Sequence, residues 1–179
     1  MAKPILMPTY HDAVIEALRS LSWVNNADDY PEQATQITTP AVFFSIMGWE
    51  QSPSSDGQLN VEFECDLFVV IDKASNTIDK PQIYARSAAA DISQWINGQT
   101  FGLEGLQPAA FISAGPDRFD PAMDEYIVWR ITYSQSAAMG EDPFESVAGP
   151  LREVWLGAAP DIGAAHINDY QLIYKRKEE

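Results

Sequence analysis

Residues 57–72, GQLNVEFECDLFVVID, most constrain what this chain can fold into, because apolar and polar side chains alternate over a long stretch. One face of the segment would carry Leu59, Val61, Phe63, Cys65, Leu67, Val69 and Ile71. Since side chains alternate across a strand, the pattern predicts a strand longer than the usual ~5–6 residues, with one face in a core. A sheet built around this strand is therefore expected.

The opposite face of the predicted strand changes character along its length. Its first part carries three carboxylates, Glu62, Glu64 and Asp66, which predicts an acidic face turned to solvent or to a partner. Phe68 and Val70 follow on the same face. Both faces are thus apolar at the C-terminal end of the strand, so this end is predicted to be covered on both sides.

Three further strands are predicted from apolar or alternating runs, at residues 41–49, 107–114 and 126–135. The polar turn QSPSSDG, residues 51–57, joins the first of them to the long strand as an antiparallel hairpin. The polar, proline-containing residues 25–40 are predicted to form a surface loop.

Two helices are predicted from apolar residues at helical spacing. The first runs from about Tyr10 to Leu21 and starts at Thr9, in a capping-box-like pattern with Asp12. The second has Pro81 in its first turn and stops before Gly98.

The resulting order of elements is helix, strand, strand, helix, strand, strand. Two hairpins joined by a crossover helix predict an α+β domain over residues 1–135, with a mixed four-stranded sheet and both helices packed on one face. Residues 136–179 form a C-terminal extension that is too short to fold alone. Because the extension is rich in apolar side chains, we expect it to pack on the domain or on a neighbouring subunit.

The charge of the chain excludes some partners. It has 26 acidic and 11 basic residues, a net charge of −15, which argues against binding nucleic acid through phosphates and against an anionic membrane surface. The N-terminus, MAKPILMPTY, lacks the apolar region of a signal peptide, and no apolar run approaches the length of a membrane span. We therefore expect a protein made and kept in the cytoplasm.

No catalytic, cofactor or metal motif is recognisable in the sequence. His166 lies near Asp169 and would make half a metal site, but His11 is the only other histidine and is distant in sequence. Glycine-rich phosphate loops and a GxSxG elbow are absent from the sequence. Cys65, the only cysteine, lies on the apolar strand face and is predicted to be a small buried hydrophobe.

One enzymatic alternative stays open, a small acidic hydrolase that uses Glu62, Glu64 and Asp66 for acid–base chemistry. These carboxylates lie along one strand, without a basic partner or an apolar pocket to separate their pKa values. A solvated acidic face is therefore favoured over a catalytic one, and no enzymatic activity is expected.

Five tryptophans are many for one modest domain, and aromatic anchors are enriched at protein interfaces. Trp95 and Trp129 are predicted to fill the core. Trp49, beside a hairpin tip, and Trp155, in the extension, are the better interface candidates. Phe68 and Val70, at the doubly apolar strand end, are candidates as well.

Several segments together carry a family resemblance. They are PAVFFSIMGWE, DGQLNVEFECDLFVVID, SQWING, PAAFISAGPDRF, DEYIVWRITYSQ and EVWLGAAPDIGAAHINDYQLI. With these segments the chain resembles the tail terminator, or tail completion, proteins of long-tailed bacteriophages and prophages.

The resemblance implies a structural virion protein without catalytic residues, built as a mixed sheet flanked by helices. Such proteins form a ring, usually of six subunits, that caps the finished tail tube and presents a surface to the head connector. The implied partners are other copies of the chain, the tube protein, the connector or neck protein and, in a contractile tail, the sheath. The implied location is the head-proximal end of the virion tail, after assembly in the host cytoplasm.

Two other classes are kept as alternatives. Another neck or baseplate protein of similar fold is the alternative within phage assembly, and a small acidic inhibitor that mimics nucleic acid belongs to a different class.

The acidic strand face has a possible role in such a ring, through which DNA passes without specific binding. Glu62, Glu64 and Asp66 would stand ~6.6 Å apart at successive positions and, repeated by symmetry, would line the channel with negative charge. Such a band would repel the phosphate backbone. The other interpretation is that this face meets solvent on the outside of the ring.

Overall fold

The computed structural model describes residues 3–31, 37–53, 57–117, 124–140 and 152–176. These ranges contain the helices α1 (Met7–Arg19) and α2 (Pro81–Ile96) and a short 3-10 helix at Ala164–Asp169. The strands are β1 (Asn26–Asp29), β2 (Ala41–Gln51), β3 (Asn60–Asp72), β4 (Ala110–Asp117), β5 (Tyr126–Ala138), β6 (Glu153–Leu156) and β7 (Gln171–Lys175). The chain divides into two compact units, Met1–Pro143 and Phe144–Glu179.

The first unit is built on a five-stranded sheet in the order β1-β2-β3-β5-β4. β1 is parallel to β2, and every other neighbouring pair is antiparallel. The predicted α+β class with a four-stranded sheet is therefore wrong. With about 23% helix, a mixed five-stranded sheet and a second, two-stranded sheet, the chain is mostly β with few helices.

The unpredicted strand, β1, lies within the stretch that was predicted to be a surface loop. It pairs in register from Asn26 with Ala41 to Asp29 with Phe44, and Ala27 is its only buried residue. Its backbone pairing with β2, and not an apolar pattern of its own, makes it a strand. It also supplies the parallel pair, because the four predicted strands pair only antiparallel.

β3 lies at the centre of the sheet, between β2 and β5, and the alternation predicts burial correctly except at Leu59, which precedes the strand and is 46% exposed. The side chains of Val61, Phe63, Cys65, Leu67, Val69 and Ile71 are all buried. They share one core with buried residues of both α1 and α2, so both helices cover this face of the sheet. Burial of each large apolar side chain contributes roughly 1.5–3 kcal/mol to stability.

The C-terminal end of β3 is covered on its second face as well, which confirms the prediction from its doubly apolar pattern. Phe68 and Val70 are buried in a smaller cluster on the face opposite the helices. The other buried members are Ala41, Phe43 and Val128, and Tyr30, Ile37 and Tyr126 pack against them.

The helix boundaries follow proline and glycine. α1 begins at Met7, because Pro8 fits the first helical turn. The predicted start at Thr9 is therefore wrong. The N-cap residue is Leu6, whose side chain makes no capping hydrogen bond. α2 runs from Pro81 to Ile96, and Gly98 follows with a φ of 93°, a conformation that glycine adopts readily.

A buried polar cluster ties α1 to the sheet. The Tyr10 hydroxyl donates to Oε1 of Gln135 at 2.8 Å and lies 3.1 Å from the hydroxyl of Tyr133. The Gln135 amide donates to the carbonyls of Gln99 and Gln107, at 2.9 and 2.8 Å. Buried polar groups need partners, and here one set of hydrogen bonds supplies them. It joins α1, β5 and the connection between α2 and β4.

We expect the free energy of unfolding to fall as the pH rises from about 9 to 12. Burial raises the pKa of the Tyr10 and Tyr133 hydroxyls above the usual range, and it raises the pKa of the Cys65 thiol from 9.0 to about 12. Because the folded pKa values exceed the unfolded ones, stability is complete below the unfolded values and is lost as the pH rises toward the folded ones.

Urea unfolding at a series of pH values measures this loss, and absorbance of tyrosinate reports ionisation. Ionisation of Tyr10 and Tyr133 should appear only together with unfolding. Titration of all seven tyrosines near pH 10 in a protein that remains folded would contradict the buried cluster.

Replacing Tyr10 by Phe should lower the free energy of unfolding by about 1–3 kcal/mol, because it leaves the buried Oε1 of Gln135 without a donor. Urea unfolding measures the change. Tyr84→Phe is the matched control: the half-buried Tyr84 packs against the same core, and its hydroxyl makes no hydrogen bond with the described residues. Equal costs for the two variants would show that the cluster adds nothing.

Candidate assembly surfaces

The exposed acidic surface of the sheet is formed by β2 and β3. Glu62 and Glu64 are exposed on the face opposite the helices, and Glu62 pairs directly with Glu50 of β2. Side chains in such pairs have Cβ atoms ~4.5–5.5 Å apart, and like charges there are destabilising. Glu50, Glu62 and Glu64 have no ion-pair partner among the described residues. Glu50 was not predicted, because only the strand register brings it beside Glu62.

Asp66 does not belong to this exposed surface, so the predicted band of three carboxylates is wrong at this position. Its side chain is only 3% exposed, and its Oδ1 accepts a hydrogen bond from the Thr132 hydroxyl at 2.6 Å. Nη1 of Arg130 lies 3.9 Å from the other carboxylate oxygen. A buried carboxylate needs such partners, and both come from β5, which the sequence of β3 alone does not reveal.

The arrangement offers little support for the alternative of an acidic hydrolase. Asp66 is engaged by Thr132 and Arg130, whereas Glu62 and Glu64 stand on an open sheet face. The cavity of about 380 Å³ at the other end of the sheet is lined by other residues, among them Lys73 and Arg86. Glu62, Glu64 and Asp66 are therefore not gathered around one enclosed pocket.

The interface candidates of the first unit separate into buried and exposed residues. Phe68 and Val70 are buried within the subunit, so they offer no surface to a partner in this state. Trp49 is 54% exposed, although its ring packs edge-on against Phe63 with centroids 6.1 Å apart. Met47, which was not predicted, is also exposed and lies at the irregularity in β2 between Ile46 and Gly48.

Within the described part of the chain, the outer edge of β2 is unpaired with any strand beyond Phe44. β1 pairs only with the first four residues of β2, up to Phe44, and no other described strand pairs with this edge. Trp49 lies beside this open edge and lines a cavity of about 370 Å³ together with Met7 and Phe44. An open edge with exposed apolar side chains is a typical site for adding a partner.

The second unit is a small antiparallel hairpin of β6 and β7 with the 3-10 helix between them. We call residues 152–176 the C-terminal hairpin. Tyr170 organises it: its hydroxyl accepts a hydrogen bond from the backbone of Gly163 at 2.9 Å. A Cβ at Gly157 would meet the Tyr170 ring at 2.8 Å, so only glycine fits there without a shift.

The C-terminal hairpin leaves its apolar side chains largely uncovered. None of residues 152–176 is buried, and the exposed large apolar residues are Trp155, Leu156, Ile162, Ile167, Leu172, Ile173 and Tyr174. Trp155, Ile167 and Tyr170 line an open cavity of about 460 Å³. A single two-stranded hairpin is at best marginally stable in water, so this surface is suited to a partner.

The charges of the C-terminal hairpin are arranged at its open end. The Lys175 ammonium lies 3.0 Å from Glu153 and, with the Trp155 indole, holds the pKa of this carboxyl below its usual value. The backbone N–H of Arg176 donates to the carbonyl of Arg152 at 2.8 Å. The two arginines are therefore adjacent, and both are exposed.

The histidines make local contacts with carboxylates. His166 lies 3.0 Å from Asp169 and 4.0 Å from Asp161, and His11 lies 2.7 Å from Asp29. In the ranges that the structure describes, no group of three or more histidine, cysteine, aspartate or glutamate residues is arranged to hold a metal ion. No helix in these ranges is long and apolar enough to span a membrane.

Trp155→Ala should change the free energy of unfolding of the isolated subunit by less than about 1 kcal/mol, because the side chain is 51% exposed. Full burial in the subunit would instead make the loss about 3–5 kcal/mol. Phe63→Ala, which truncates a fully buried ring, is the comparison and should show a loss of that size. Urea unfolding measures both, and a similar large loss for Trp155→Ala would place Trp155 in the core of the subunit.

No protein-family model matches this chain, and no curated protein matches it significantly.

Proposed function

We propose that the protein is a structural component of a phage tail that assembles into a ring on the head-proximal end of the tail tube. There it ends tail elongation and provides the surface that joins the tail to the head connector. The observation that carries the proposal is the C-terminal hairpin, whose large apolar side chains are covered by nothing in their own unit. The resemblance of the sequence to tail terminator proteins supports the proposal that this assembly is a ring on a tail tube.

The exposed apolar surface favours an assembly protein over the other two classes. A hydrolase needs an enclosed site, and an inhibitor that mimics nucleic acid needs only an acidic face. Neither function requires the seven large apolar side chains that are exposed on the C-terminal hairpin, residues 152–176. A subunit of a larger assembly requires such a surface, because burial of apolar area drives association.

The charge of the chain is compatible with a ring through which DNA moves. A net charge of −15 disfavours contacts with a phosphate backbone. Glu62 and Glu64 are exposed and stay candidates for the channel wall, whereas Asp66 no longer does. The partners proposed for the ring are other copies of the chain, usually six in all, the tube protein, the connector and, in a contractile tail, the sheath.

The experiment that tests the proposal is a comparison of tails assembled with and without this protein. Electron microscopy should show a ring at the head-proximal end of each finished tail, and mass measurement of that ring should give a multiple of the subunit mass of 19.9 kDa. Without the protein, tails should have irregular lengths and should not join heads. Tails of normal length that join heads in its absence would overturn the proposal.

Ile173→Asp should weaken assembly of the ring by at least ~10-fold, because it places a charge on the apolar surface of the C-terminal hairpin. Ile83→Asp is the matched control, since both side chains are 56% exposed and both variants should fold. Sedimentation of the free protein and its recovery on purified tail tubes measure assembly. Equal behaviour of both variants and the wild type would show that the hairpin surface is not used.

A further inference from the structure

Two surfaces of the chain have complementary character. The C-terminal hairpin combines exposed apolar side chains with Arg152 and Arg176, which have no ion-pair partner among the described residues. The end of the sheet at β2 and β3 combines exposed Met47 and Trp49 with Glu50, Glu62 and Glu64. We call these five residues of the sheet the acceptor surface.

We propose that the C-terminal hairpin of one copy docks on the acceptor surface of a second copy of the same chain, with Arg152 and Arg176 against Glu50, Glu62 and Glu64. This assignment rests on the proposed ring and specifies its contact between subunits. The two surfaces complement each other: the hairpin leaves its apolar side chains uncovered within its own unit, and the close glutamates favour a cationic partner.

The electrostatic part of the argument rests on the register of the strands. Glu62 is directly opposite Glu50, and Glu64 follows Glu62 on the same face at a spacing of ~6.6 Å. The three carboxylates thus lie within one screening length of ~8 Å at physiological salt, so their potentials add. Arginine is suited to this surface, because its planar guanidinium donates two parallel hydrogen bonds to a carboxylate.

The apolar part of the argument rests on the open edge of β2. Trp49 pairs in register with Phe63 and therefore faces the helix side, whereas Glu50 faces the other side. The acceptor surface thus wraps around the edge, where the cavity of about 370 Å³ beside Trp49 is large enough for a side chain. The backbone groups of this edge are also available to a neighbouring strand.

The arrangement also determines the symmetry. Each copy carries one hairpin and one acceptor surface, and the two are different patches. A contact between different patches is heterologous, and such contacts close into rings when the rotation between neighbours allows it. If the occupant is a second copy, the same contact repeats from subunit to subunit around the ring. A single bound peptide would not produce such a repeat.

Charge reversal tests the contact directly. The hairpin variant is Arg152→Glu/Arg176→Glu, and the acceptor variant is Glu62→Arg/Glu64→Arg. Each alone should weaken association of the full-length protein by ~100-fold or more, since close interfacial charge pairs couple strongly. An equimolar mixture should restore it, because in an alternating ring every hairpin then meets a surface of opposite charge.

Matched controls carry the same changes elsewhere on the surface. Asp12→Arg/Glu16→Arg, on the exposed side of α1, matches the acceptor variant, and Lys3→Glu/Lys80→Glu matches the hairpin variant. Both should associate like the wild type. Circular dichroism and urea unfolding verify that all variants are folded, and sedimentation and recovery on tail tubes measure association at low and high salt.

The outcomes separate the contact from the proposed ring. Restoration in the mixture supports docking between copies, because a hairpin docked on its own sheet would stay mismatched in both variants. If the mixture fails while one chain with all four reversals assembles, the hairpin docks within its own subunit and the proposal is wrong. Normal assembly of the acceptor variant with slowed DNA ejection would place the glutamates in the channel instead, and absence of a wild-type ring would refute the proposed function itself.

Discussion

The fold of the first unit depends on the buried hydrogen bond between Tyr10 and Gln135, since it fixes where the first helix lies on the sheet. Apolar packing alone allows a helix to slide, because dispersion and the hydrophobic effect have no preferred direction. The Tyr10 hydroxyl donates to Oε1 of Gln135 and also lies within hydrogen-bond distance of the Tyr133 hydroxyl, so its partners fix the position of the helix. The same glutamine amide holds the carbonyls of Gln99 and Gln107. One buried residue of β5 thus positions both the first helix and the connection that leads to β4.

The parts of the fold that the sequence predicts are those whose signal is local. β3 was predicted because its own residues alternate, and α2 because Pro81 and Gly98 delimit it. β1 was not predicted, since its four residues become a strand only through backbone pairing with β2. The class changed from α+β to mostly β for the same reason: edge strands and hairpin strands are short, and their partners, not their composition, form them.

The candidate surfaces show the same limit. Trp155 was predicted as an interface candidate because it lies in the apolar-rich extension, and Glu62 was predicted on an acidic face because β3 alternates. The burial of Asp66 instead depends on Thr132 and Arg130 of β5, and Thr132 is 66 positions away in the sequence. Glu50 became part of the acidic surface only through the register of β2 against β3. Side-chain alternation gives the face on which a residue lies, but the neighbouring strands determine whether that face is open.

The subunit thus divides its apolar residues between two purposes. Phe68 and Val70 are buried in the monomer, so they stabilise the subunit whether or not it assembles. The apolar side chains of the C-terminal hairpin are not buried within their own unit, so they contribute little to the stability of that unit. Like charges at Glu50 and Glu62 cost the free subunit roughly 0.2–1 kcal/mol. A cationic partner would remove that cost, so both the apolar and the acidic surface gain stability only when a second molecule binds.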